Sequence, residues 1–580
     1  MEHYGNDDPK PPQAPARFPS SFPLLWLLLP QICAFAFCEN APWFSEIPEF
    51  RRFIAGLVFL FAASLASGLE LLSPKSEEVN SKFRLVWKIC FPIAAFFLFC
   101  AWWNFHAPPL EDWSKKSPRE AEVEFYTERM FSASEKNFNG LARIEKISGD
   151  GLDALAGTRI WFSVPKKLFP KNAPAPGEKI CASGVLSGLS PEAFSGSEGF
   201  FSYLKRERVS ATLTRVENAE IRARDGNFFL RFCARINQKL KTALEQISDE
   251  SPRRERAGRI LGAMLLGERN LLLPEQKENF LLTGTMHIFA VSGLHVSVLA
   301  AGMLALLHAL KLPRGLAWTL MLGSLWFYVQ IVGAPPSAVR AWTMLVFLFA
   351  GTLFGRGRMA FHGLLFSAFF ALMLEPTVLG NTGFRLSYLV VAAILLYGIP
   401  LADFFENALD SRRKIPLGAL RFHQKILFKI QHAAVSGFCI SGAAFLAGTP
   451  IVIAEFGMCS FISLAANVIL IPAVSLAAWT GAFALLIACL PLAGIALGKF
   501  FFLLSLIPLL LLDFGTAWLS ALPGIAELSF PHKSFGIAGS LIVFATFFFG
   551  ETIPKFRENP WLRFAFPPLA LCVFLLIFSY

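Results

Sequence analysis

Two histidines and a serine stand close together in a stretch of the chain that is otherwise apolar. They are His287, Ser292 and His295. Ser292 and His295 are three residues apart and would share one face of a helix, whereas His287 would lie two turns earlier, displaced by roughly 80°. Polar side chains of this kind are costly in a membrane span and usually face a bundle interior or an aqueous path. We therefore predict that all three line a path for a polar substrate.

The same three residues could instead have a packing, catalytic or metal-binding role. Small and polar residues also hold neighbouring membrane helices together, which would give this group a packing role. A general base would need a carboxylate or a nucleophile within hydrogen-bond reach, and no motif provides one. A metal site would need a companion Cys, Asp or Glu at ligand spacing, and none is present. We therefore assign no catalytic residue, no metal ligand and no cofactor.

Further polar positions interrupt the apolar sequence downstream. Pro335-Pro336 would break a helix, so that Ser337 caps the next helix and Arg340 lies about one turn inside it. Arg385 and Asn467 stand in later apolar runs. Arg340 could instead extend its charge to the membrane surface, and the uncharged residues could serve helix packing. Because charge is expensive in lipid, we predict that Ser337, Arg340, Arg385 and Asn467 face the same path.

The composition shows why these polar residues are exceptional. The chain has 580 residues, of which 54% are hydrophobic and 16% charged; a typical soluble domain has about 25% charged residues. Charge is concentrated between residues 107 and 256 and in short loops. Elsewhere, long stretches are almost free of charge over the ~20 residues that a spanning helix needs. We predict a polytopic α-helical membrane protein of about 11–13 spans.

The predicted spans fall into two groups. Residues 1–21 are polar and Pro-rich, which predicts a disordered cytoplasmic tail, and residues 22–106 follow with N-terminal spans. Residues 257–580 hold the second group, in which the Pro-broken stretch Ser460–Leu490 could also form a re-entrant pair of helices. The predicted spans are Phe22–Cys38, Phe53–Leu72, Val86–Phe105, Met286–Leu310, Leu316–Val332, Val339–Phe354, Phe361–Leu374, Leu379–Ile399, His432–Ala454, Ser460–Leu490, Leu497–Leu512, Phe535–Phe549 and Phe564–Phe578.

Basic loops predict the orientation of these spans. The net charge of +11 arises partly from Lys and Arg in loops 311–314, 356–358, 412–429 and 555–563. When the spans alternate from residue 256 onward, all four loops fall on one side, which the positive-inside rule makes cytoplasmic. Residues 107–256 then lie outside the cytoplasm. In this arrangement Arg51 and Arg52 lie outside the cytoplasm, which violates the positive-inside rule.

Residues 107–256 have the pattern of a small β domain. Gly, Pro, Asn and Asp separate four short β-prone runs, which are Arg159–Val164, Lys179–Leu186, Ser210–Val216 and Phe228–Phe232. We predict a small antiparallel barrel or sandwich. An extracytoplasmic location would permit a disulfide between Cys181 and Cys233, although the sequence provides no distance between the two thiols.

Taken in order, the polar motifs resemble those of the ComEC/Rec2 family of bacterial competence proteins. The run from His287 to His295 resembles the family signature H-x-x-A-(I/V)-S-G-L-H. In the soluble segment, Gly199–Arg206 resembles an element near the end of the family's OB-like domain. Arg385 departs from the pattern, because the family usually has Gln there. The other matching segments are Leu265–Arg269, Pro336–Ala341, Gly383–Tyr388, Thr449-Pro450, Phe456-Gly457 and Asn467–Pro472.

The resemblance implies a channel that passes single-stranded DNA across the bacterial cytoplasmic (inner) membrane during natural transformation. Residues 257–580 would form the channel domain and residues 107–256 an extracytoplasmic OB-like domain. DNA carries regular phosphate charge and exposed bases, so proteins that bind single strands use cations and stacking faces. In the OB-like domain the candidates are Phe200, Phe201, Tyr203, Lys205, Arg206 and Arg208. The alternative for these six is a solvated basic turn that closes a small barrel.

The resemblance also implies partners. They are single-stranded DNA and membrane lipid, with a periplasmic DNA-binding protein, a cytoplasmic helicase, a separate nuclease and a second copy of the chain as further candidates. Many family members carry a metallo-β-lactamase-like domain with an H-x-H-x-D-H motif. This sequence has nine His and no such run, so we expect no hydrolytic activity from it. The alternative function is a transporter or scaffold of the same architecture that handles another envelope substrate and moves no DNA.

Overall fold

A computed structural model describes residues 24–40, residues 55, 56, 58, 60 and 62, and residues 77–579 apart from short gaps. The gaps are 107–112, 114–116, 132–135, 150–151, 153–154, 170–173, 190–197, 223–227, 290, 354–359, 412–420 and 491–493. Two N-terminal helices, α1 (Leu25–Asn40) and α2 (Glu77–His106), pack together through buried aromatic residues that include Phe35, Phe99 and Trp103. The predicted disordered tail and most of the predicted span Phe53–Leu72 lie outside the described residues.

A closed five-stranded barrel follows. Around the barrel β3 and β5 are parallel, and every other neighbouring pair is antiparallel, in the order β1-β2-β3-β5-β4. This arrangement fits the OB-like fold predicted for the segment. Along the first strand, Ala121, Val123, Phe125 and Thr127 are buried because alternate side chains point to one face of the sheet. The elements are β1 (Arg119–Phe131), β2 (Asn137–Ser148), β3 (Arg159–Pro165), β4 (Lys179–Gly188), α3 (Glu198–Arg206) and β5 (Val209–Ile221).

The fourth predicted strand is wrong. Phe228–Phe232 begins a helix, α4 (Phe228–Ser248), in which Ala243, Leu244 and Ile247 are buried at helical spacing. The aromatic run is β-prone by itself, but the longer segment has a 3.6-residue apolar period, and the longer pattern determines the structure. Two shorter helices follow, α5 (Pro252–Leu265) and α6 (Pro274–Leu282), joined through a 3₁₀ turn at Arg269–Leu271.

The remainder of the described chain is a helical bundle. A 3₁₀ turn at Met286–Phe289 precedes its first helix, so the predicted span Met286–Leu310 is not one continuous helix. The helices are α7 (Gly293–Ala309), α8 (Arg314–Ile331), α9 (Pro336–Leu353), α10 (Ala360–Leu374), α11 (Thr382–Ala393), α12 (Ile399–Ser411), α13 (Phe422–Phe456), α14 (Ile462–Ala488), α15 (Gly494–Ser520), α16 (Ser534–Thr552), α17 (Pro554–Glu558) and α18 (Pro560–Phe578). A 3₁₀ turn at Pro376–Gly380 precedes α11, a π turn at Ile394–Gly398 joins α11 to α12, and β6 (Met458–Ser460) pairs with β7 (Ile525–Glu527).

The helices confirm a polytopic membrane protein that carries a small barrel. Within the described chain, seven helical segments are long and apolar enough to cross a bilayer, and four shorter helices are apolar as well. The seven are Lys88–His106, Pro336–Leu353, Thr382–Asp410, Phe422–Phe456, Ile462–Ala488, Gly494–Ser520 and Pro560–Phe578. The segment expected to span at Leu316–Val332 is a helix, α8, but is not among the seven. The segment Ser460–Leu490 forms one helix, α14, that includes Pro472, so the re-entrant alternative is wrong.

The largest buried core joins the short helices to the long ones. It combines residues of α5 and α6 with residues of α14 and α15, among them Leu261, Phe280 and Leu512. The segment 252–282 is therefore part of the bundle and not a linker between the barrel and the membrane helices.

Candidate functional site

The first residues of α7 hold Ser292 and His295 in a fixed arrangement. Ser292 is the N-cap of the helix, and its backbone N–H donates to Nδ1 of His295 over 3.2 Å. The Ser292 hydroxyl lies 3.0 Å from the same nitrogen. Because Nδ1 accepts a hydrogen bond, the neutral imidazole carries its proton on Nε2. His295 is fully buried, and its Nε2 has no hydrogen-bond partner among the described residues.

His287 does not share a helix face with this pair. It lies in the 3₁₀ turn before α7, where its Nδ1 is 3.2 Å from the carbonyl oxygen of Gly284. Gly284 has a φ of +69°, and a Cβ atom there would lie 2.9 Å from Cβ of Ser463 on α14. Both the backbone conformation and the close approach require glycine. The turn therefore separates His287 from the predicted face.

The first turn of α9 brings Ser337 and Arg340 into the protein. The hydroxyl of Ser337 donates to the carbonyl oxygen of Val291 over 2.7 Å, which ties the start of α9 to the segment before α7. Arg340 is only 6% exposed, and its Nη2 donates to the carbonyl oxygen of Gly383 on α11 over 2.8 Å. The guanidinium lies 5.8 Å from the ring centroid of Phe384. Arg340 therefore points into the protein and does not extend to the membrane surface.

The contacts of Arg340 leave most of its donors unused. In the described part of the chain, neither Nε nor Nη1 has a hydrogen-bond partner. No described carboxylate forms an ion pair with this guanidinium. A buried charge without a partner is costly, which makes Arg340 the most unusual of the predicted residues.

The start of α9 contacts the starts of both α7 and α11, and we call this place the three-helix junction. It comprises Ser292–His295, Ser337–Arg340 and Asn381–Phe384. A Cβ atom on Gly293 would lie 3.5 Å from Cβ of Ala341, so α7 also contacts α9 directly. At the start of α11, Oδ1 of Asn381 accepts from the backbone N–H groups of Gly383 at 2.8 Å and Phe384 at 3.3 Å. Four of the predicted residues, Ser292, His295, Ser337 and Arg340, thus come together.

Arg385 lies elsewhere, although it is close to Gly383 in sequence. Its Nε donates to the carbonyl oxygen of Leu379 over 2.7 Å. It lines a cavity of about 210 Å³ together with Thr382 and charged residues of α1, of α13 and at the N-cap of α16. There Glu455 accepts hydrogen bonds from Thr382 Oγ1 at 3.1 Å and from Lys533 Nζ at 3.2 Å. The cavity contains charges of both signs, unlike the three-helix junction.

Asn467 forms a polar contact between two long helices. Its Nδ2 donates to the hydroxyl of Ser441 over 3.2 Å, which joins α14 to α13. Its Oδ1 is buried and has no partner among the described residues. This contact is of the kind that holds membrane helices together. Within the described part of the chain, no hydrogen bond joins it to the three-helix junction.

The candidate residues of the bundle all fall within one region that matches known proteins. Residues 264–556, about half of the chain, match the family described as Competence protein. The chain belongs to the competence protein family. The resemblance expected from the motifs is thereby confirmed, and the three-helix junction is built from residues inside the matched region.

Two relatives show how far the similarity of this competence-family protein extends. ComE operon protein 3 of Bacillus subtilis (strain 168) is 28% identical over 213 residues, which are 37% of this chain and 24% of the relative. An uncharacterized protein of Aquifex aeolicus (strain VF5) is 32% identical over 159 residues, 27% of this chain and 37% of that relative. The chain thus matches less than two thirds of either relative. No solved structure matches it.

In the barrel of this competence-family protein, two of the predicted stacking residues are packed. Phe200 and Tyr203 on α3 join a cluster with Phe131 and Trp161, and the ring centroids of Trp161 and Phe200 are 5.0 Å apart. The Tyr203 hydroxyl accepts from Nη1 of Arg129 at 2.9 Å, and burial raises the pKa of Tyr203 to about 12. Both rings therefore help to close the end of the barrel.

The other predicted barrel residues differ in their surroundings. Lys205 is exposed and Phe201 is half-buried. Arg208 adopts a φ of +58° and donates to the carbonyl oxygen of His106, the last residue of α2, over 3.4 Å. The side chain of Arg206 is outside the described part of the structure. Among the described side chains of α3, Lys205 is thus the exposed cation.

The two cysteines of the soluble segment are not bonded to each other. Cys181 on β4 has its Sγ 3.4 Å from a carboxylate oxygen of Glu122, and Cys233 is buried on α4. All ten cysteines of the chain lie among the described residues, and none of them forms a disulfide. The disulfide is not formed because Cys233 lies on a helix that packs with the bundle, while Cys181 belongs to a strand of the barrel.

The bundle contains a buried ion pair that the sequence analysis did not predict. Asp513 on α15 is 5% exposed, and its two carboxylate oxygens accept from Nε of Arg256 at 2.9 Å and Nη2 at 3.3 Å. Nε2 of Gln276 on α6 adds a third hydrogen bond at 3.0 Å. The available signal was that Asp513 is the one charged residue between positions 500 and 520. The pair ties α5 and α6 to a membrane helix.

Among the described residues, no group of three or more His, Cys, Asp or Glu side chains is placed to hold a metal ion.

Proposed function

We propose that this competence-family protein is a channel of the bacterial cytoplasmic membrane that passes single-stranded DNA inward during natural transformation. The observation that carries the proposal is Arg340, a buried cation without a carboxylate partner among the described residues, inside the family-matched region. Such a cation is costly unless it meets an anion, and DNA presents one negative charge per nucleotide.

The junction suggests how the path is built. Arg340 supplies fixed positive charge, and its bond to Gly383 holds the guanidinium in place. Ser292 holds the ring of His295 so that Nε2–H remains available as a donor. Ser337 keeps the starts of α7 and α9 together through Val291. These residues would bind and release phosphates without any covalent step.

The barrel would meet DNA before the bundle does. We propose that it lies outside the cytoplasm, as the basic loops predict, and that Lys205 contributes one of its phosphate contacts. A periplasmic DNA-binding protein, a cytoplasmic helicase and a separate nuclease are the proposed partners, together with a second copy of the chain.

One observation favours the alternative of a transporter or scaffold that moves no DNA. Single-strand binding usually relies on exposed aromatic faces, but Phe200 and Tyr203 pack against Trp161 and Phe131. A barrel whose aromatic residues are packed in this way would suit another envelope substrate equally well.

The test is transfer of labelled DNA into the cytoplasm of a deletion strain. The strain is complemented with the wild type, Arg340→Gln, His295→Ala or the control Arg314→Gln, which removes a charge from the exposed first residue of α8. We expect Arg340→Gln to reduce transfer by about tenfold or more, because a charge-assisted hydrogen bond contributes roughly 1.5–3 kcal/mol. The control should match the wild type. Full transfer in the deletion strain would exclude the channel and leave the transporter or scaffold.

A further inference from the structure

The three-helix junction has the physical properties of an anion-binding site. The N-termini of α7, α9 and α11, helices of 17, 18 and 12 residues, are joined there by the hydrogen bonds of Ser337 and Arg340. The first turn of a helix carries partial positive charge. At α11 this charge remains although Asn381 already accepts hydrogen bonds from the N–H groups of Gly383 and Phe384. Since the starts of α7 and α11 each contact the start of α9, this region favours negative charge.

Arg340 is the second, independent indication. A guanidinium has five N–H donors, one on Nε and two on each terminal nitrogen. Only Nη2 has a partner, so the three donors on Nε and Nη1 are free in the described part of the protein. The side chain is more than nine-tenths buried, and no described carboxylate balances its charge. The positive ends of the linked helices and the charge of Arg340 thus reinforce each other at the start of α9.

The arrangement of donors indicates the class of anion. The free donors of Arg340 lie on different edges of its planar group, and Nε2–H of His295 is one more donor at the junction that no described residue uses. A carboxylate has two oxygens in one plane, whereas a phosphodiester has two charged and two ester oxygens arranged tetrahedrally around phosphorus. Phosphate groups also suit both arginine and helix N-termini. A phosphate is therefore the better match.

We propose that the three-helix junction binds one phosphate group, namely a single phosphodiester of a nucleic-acid strand, with Arg340 as its main ligand. The identity of the strand rests on the proposed function, whereas binding of a phosphodiester does not. On this proposal the path holds DNA at one discrete site, and the cavity around Arg385, in which charges of both signs are present, is not part of it.

The probe is a deoxythymidine dinucleotide, which has one phosphodiester, compared with its uncharged methylphosphonate analogue. Binding to the full-length protein in nanodiscs is measured by calorimetry as a function of salt. We expect the charged dinucleotide to bind and the neutral one to bind at least tenfold more weakly. Binding of the charged dinucleotide should weaken as salt is raised, because ions screen the attraction between its single charge and Arg340, whereas binding of the neutral analogue should not.

Variants locate the site. Arg340→Gln should lose at least tenfold in affinity for the charged dinucleotide, Arg340→Lys should retain part of it, and the control Arg314→Gln should bind as the wild type does. Equal binding of the charged and neutral dinucleotides by the wild type would overturn the proposal, and this comparison does not depend on whether a variant folds. Unchanged affinity in Arg340→Gln would overturn it as well.

The two proposals can fail separately. If the dinucleotide binds as expected but the deletion strain transfers DNA as fully as the wild type, the phosphate site stands and the DNA channel is rejected. If transfer is lost while neither dinucleotide binds, the channel stands and the discrete phosphate site is rejected.

Discussion

Arg256 and Asp513 form an ion pair, and replacing Arg256 should lower the free energy of unfolding much more than replacing Asp513. Asp513 is 5% exposed, while the side chain of Arg256 is 37% exposed and also lies 3.5 Å from Glu275. Arg256→Met would leave a buried carboxylate with Gln276 as its remaining partner. Asp513→Asn would leave a partly exposed guanidinium that water can solvate, and it would keep an oxygen for Gln276.

The burial of the two partners sets the expected magnitudes. Stranding a buried charge costs about 3–5 kcal/mol, so Arg256→Met should lower the free energy of unfolding by about that amount. Losing a partly exposed pair costs about 1 kcal/mol or less, which is the expectation for Asp513→Asn. The double variant strands no charge. It should therefore be more stable than Arg256→Met alone, although it carries one more substitution.

The assay is unfolding of the purified protein by SDS in mixed micelles, followed by circular dichroism. Lys499→Met provides a matched control on the same helix, because Lys499 pairs with Glu250 over 2.8 Å and both side chains are at least about one-third exposed. It should change stability by less than about 1 kcal/mol. The reasoning is refuted if Arg256→Met is no less stable than Asp513→Asn, or if the double variant is less stable than Arg256→Met.

Three other predictions concern the barrel and the thiols. The unfolded chain, prepared without reductant, should titrate ten free thiols, and a value of eight would restore the rejected disulfide. The hydrogen bond from Lys179, at 2.7 Å, lowers the pKa of Glu145 from its usual 4.5, so this pair stabilises the fold above that pH and the contribution is lost on acidification. In Glu145→Gln, the stability of the barrel, measured by hydrogen exchange in β1 and β4, should therefore fall less steeply on acidification than in the wild type. An equally steep fall would show that the pair contributes nothing. Phe200→Ala should destabilise the barrel by about 2 kcal/mol, because the ring is partly buried, whereas Lys205→Ala should shift stability by less than about 0.5 kcal/mol and weaken single-strand binding. If melting and binding measurements instead show that Phe200→Ala weakens single-strand binding and leaves stability unchanged, Phe200 belongs to the DNA interface.

Much of the architecture could be predicted because it depends on local properties of the chain. A spanning helix needs about 20 apolar residues in succession, and that pattern is visible without knowing any neighbour. Strands at Arg159–Val164 and Lys179–Leu186 were predicted in the same way and correspond to β3 and β4. The prediction was wrong at Phe228–Phe232, where five β-prone residues belong to a longer amphipathic helix. A short window cannot distinguish the two periods.

The residues of the site could be predicted only by type. The cost of placing a charge in lipid made Arg340 and Arg385 equally good candidates for the path. In the structure, Arg340 donates a hydrogen bond to Gly383 in the three-helix junction, whereas Arg385 lines a cavity with Glu455. The same reasoning favoured Phe200 and Tyr203 as stacking faces, but both are used to close the barrel. Residue type indicates what a side chain can do, and its neighbours determine what it does.

Within this chain, sequence alone determined which segments leave water, which segment forms a small β domain, and to which family the protein belongs. The tertiary structure decided which polar residues meet: Arg340 with Gly383, 43 positions away, and Arg256 with Asp513, 257 positions away. The physical reason is the range of the forces involved. Transfer of a helix or strand out of water depends on its own side chains, whereas the meeting of distant residues depends on how whole helices pack, which is the sum of many weak contacts.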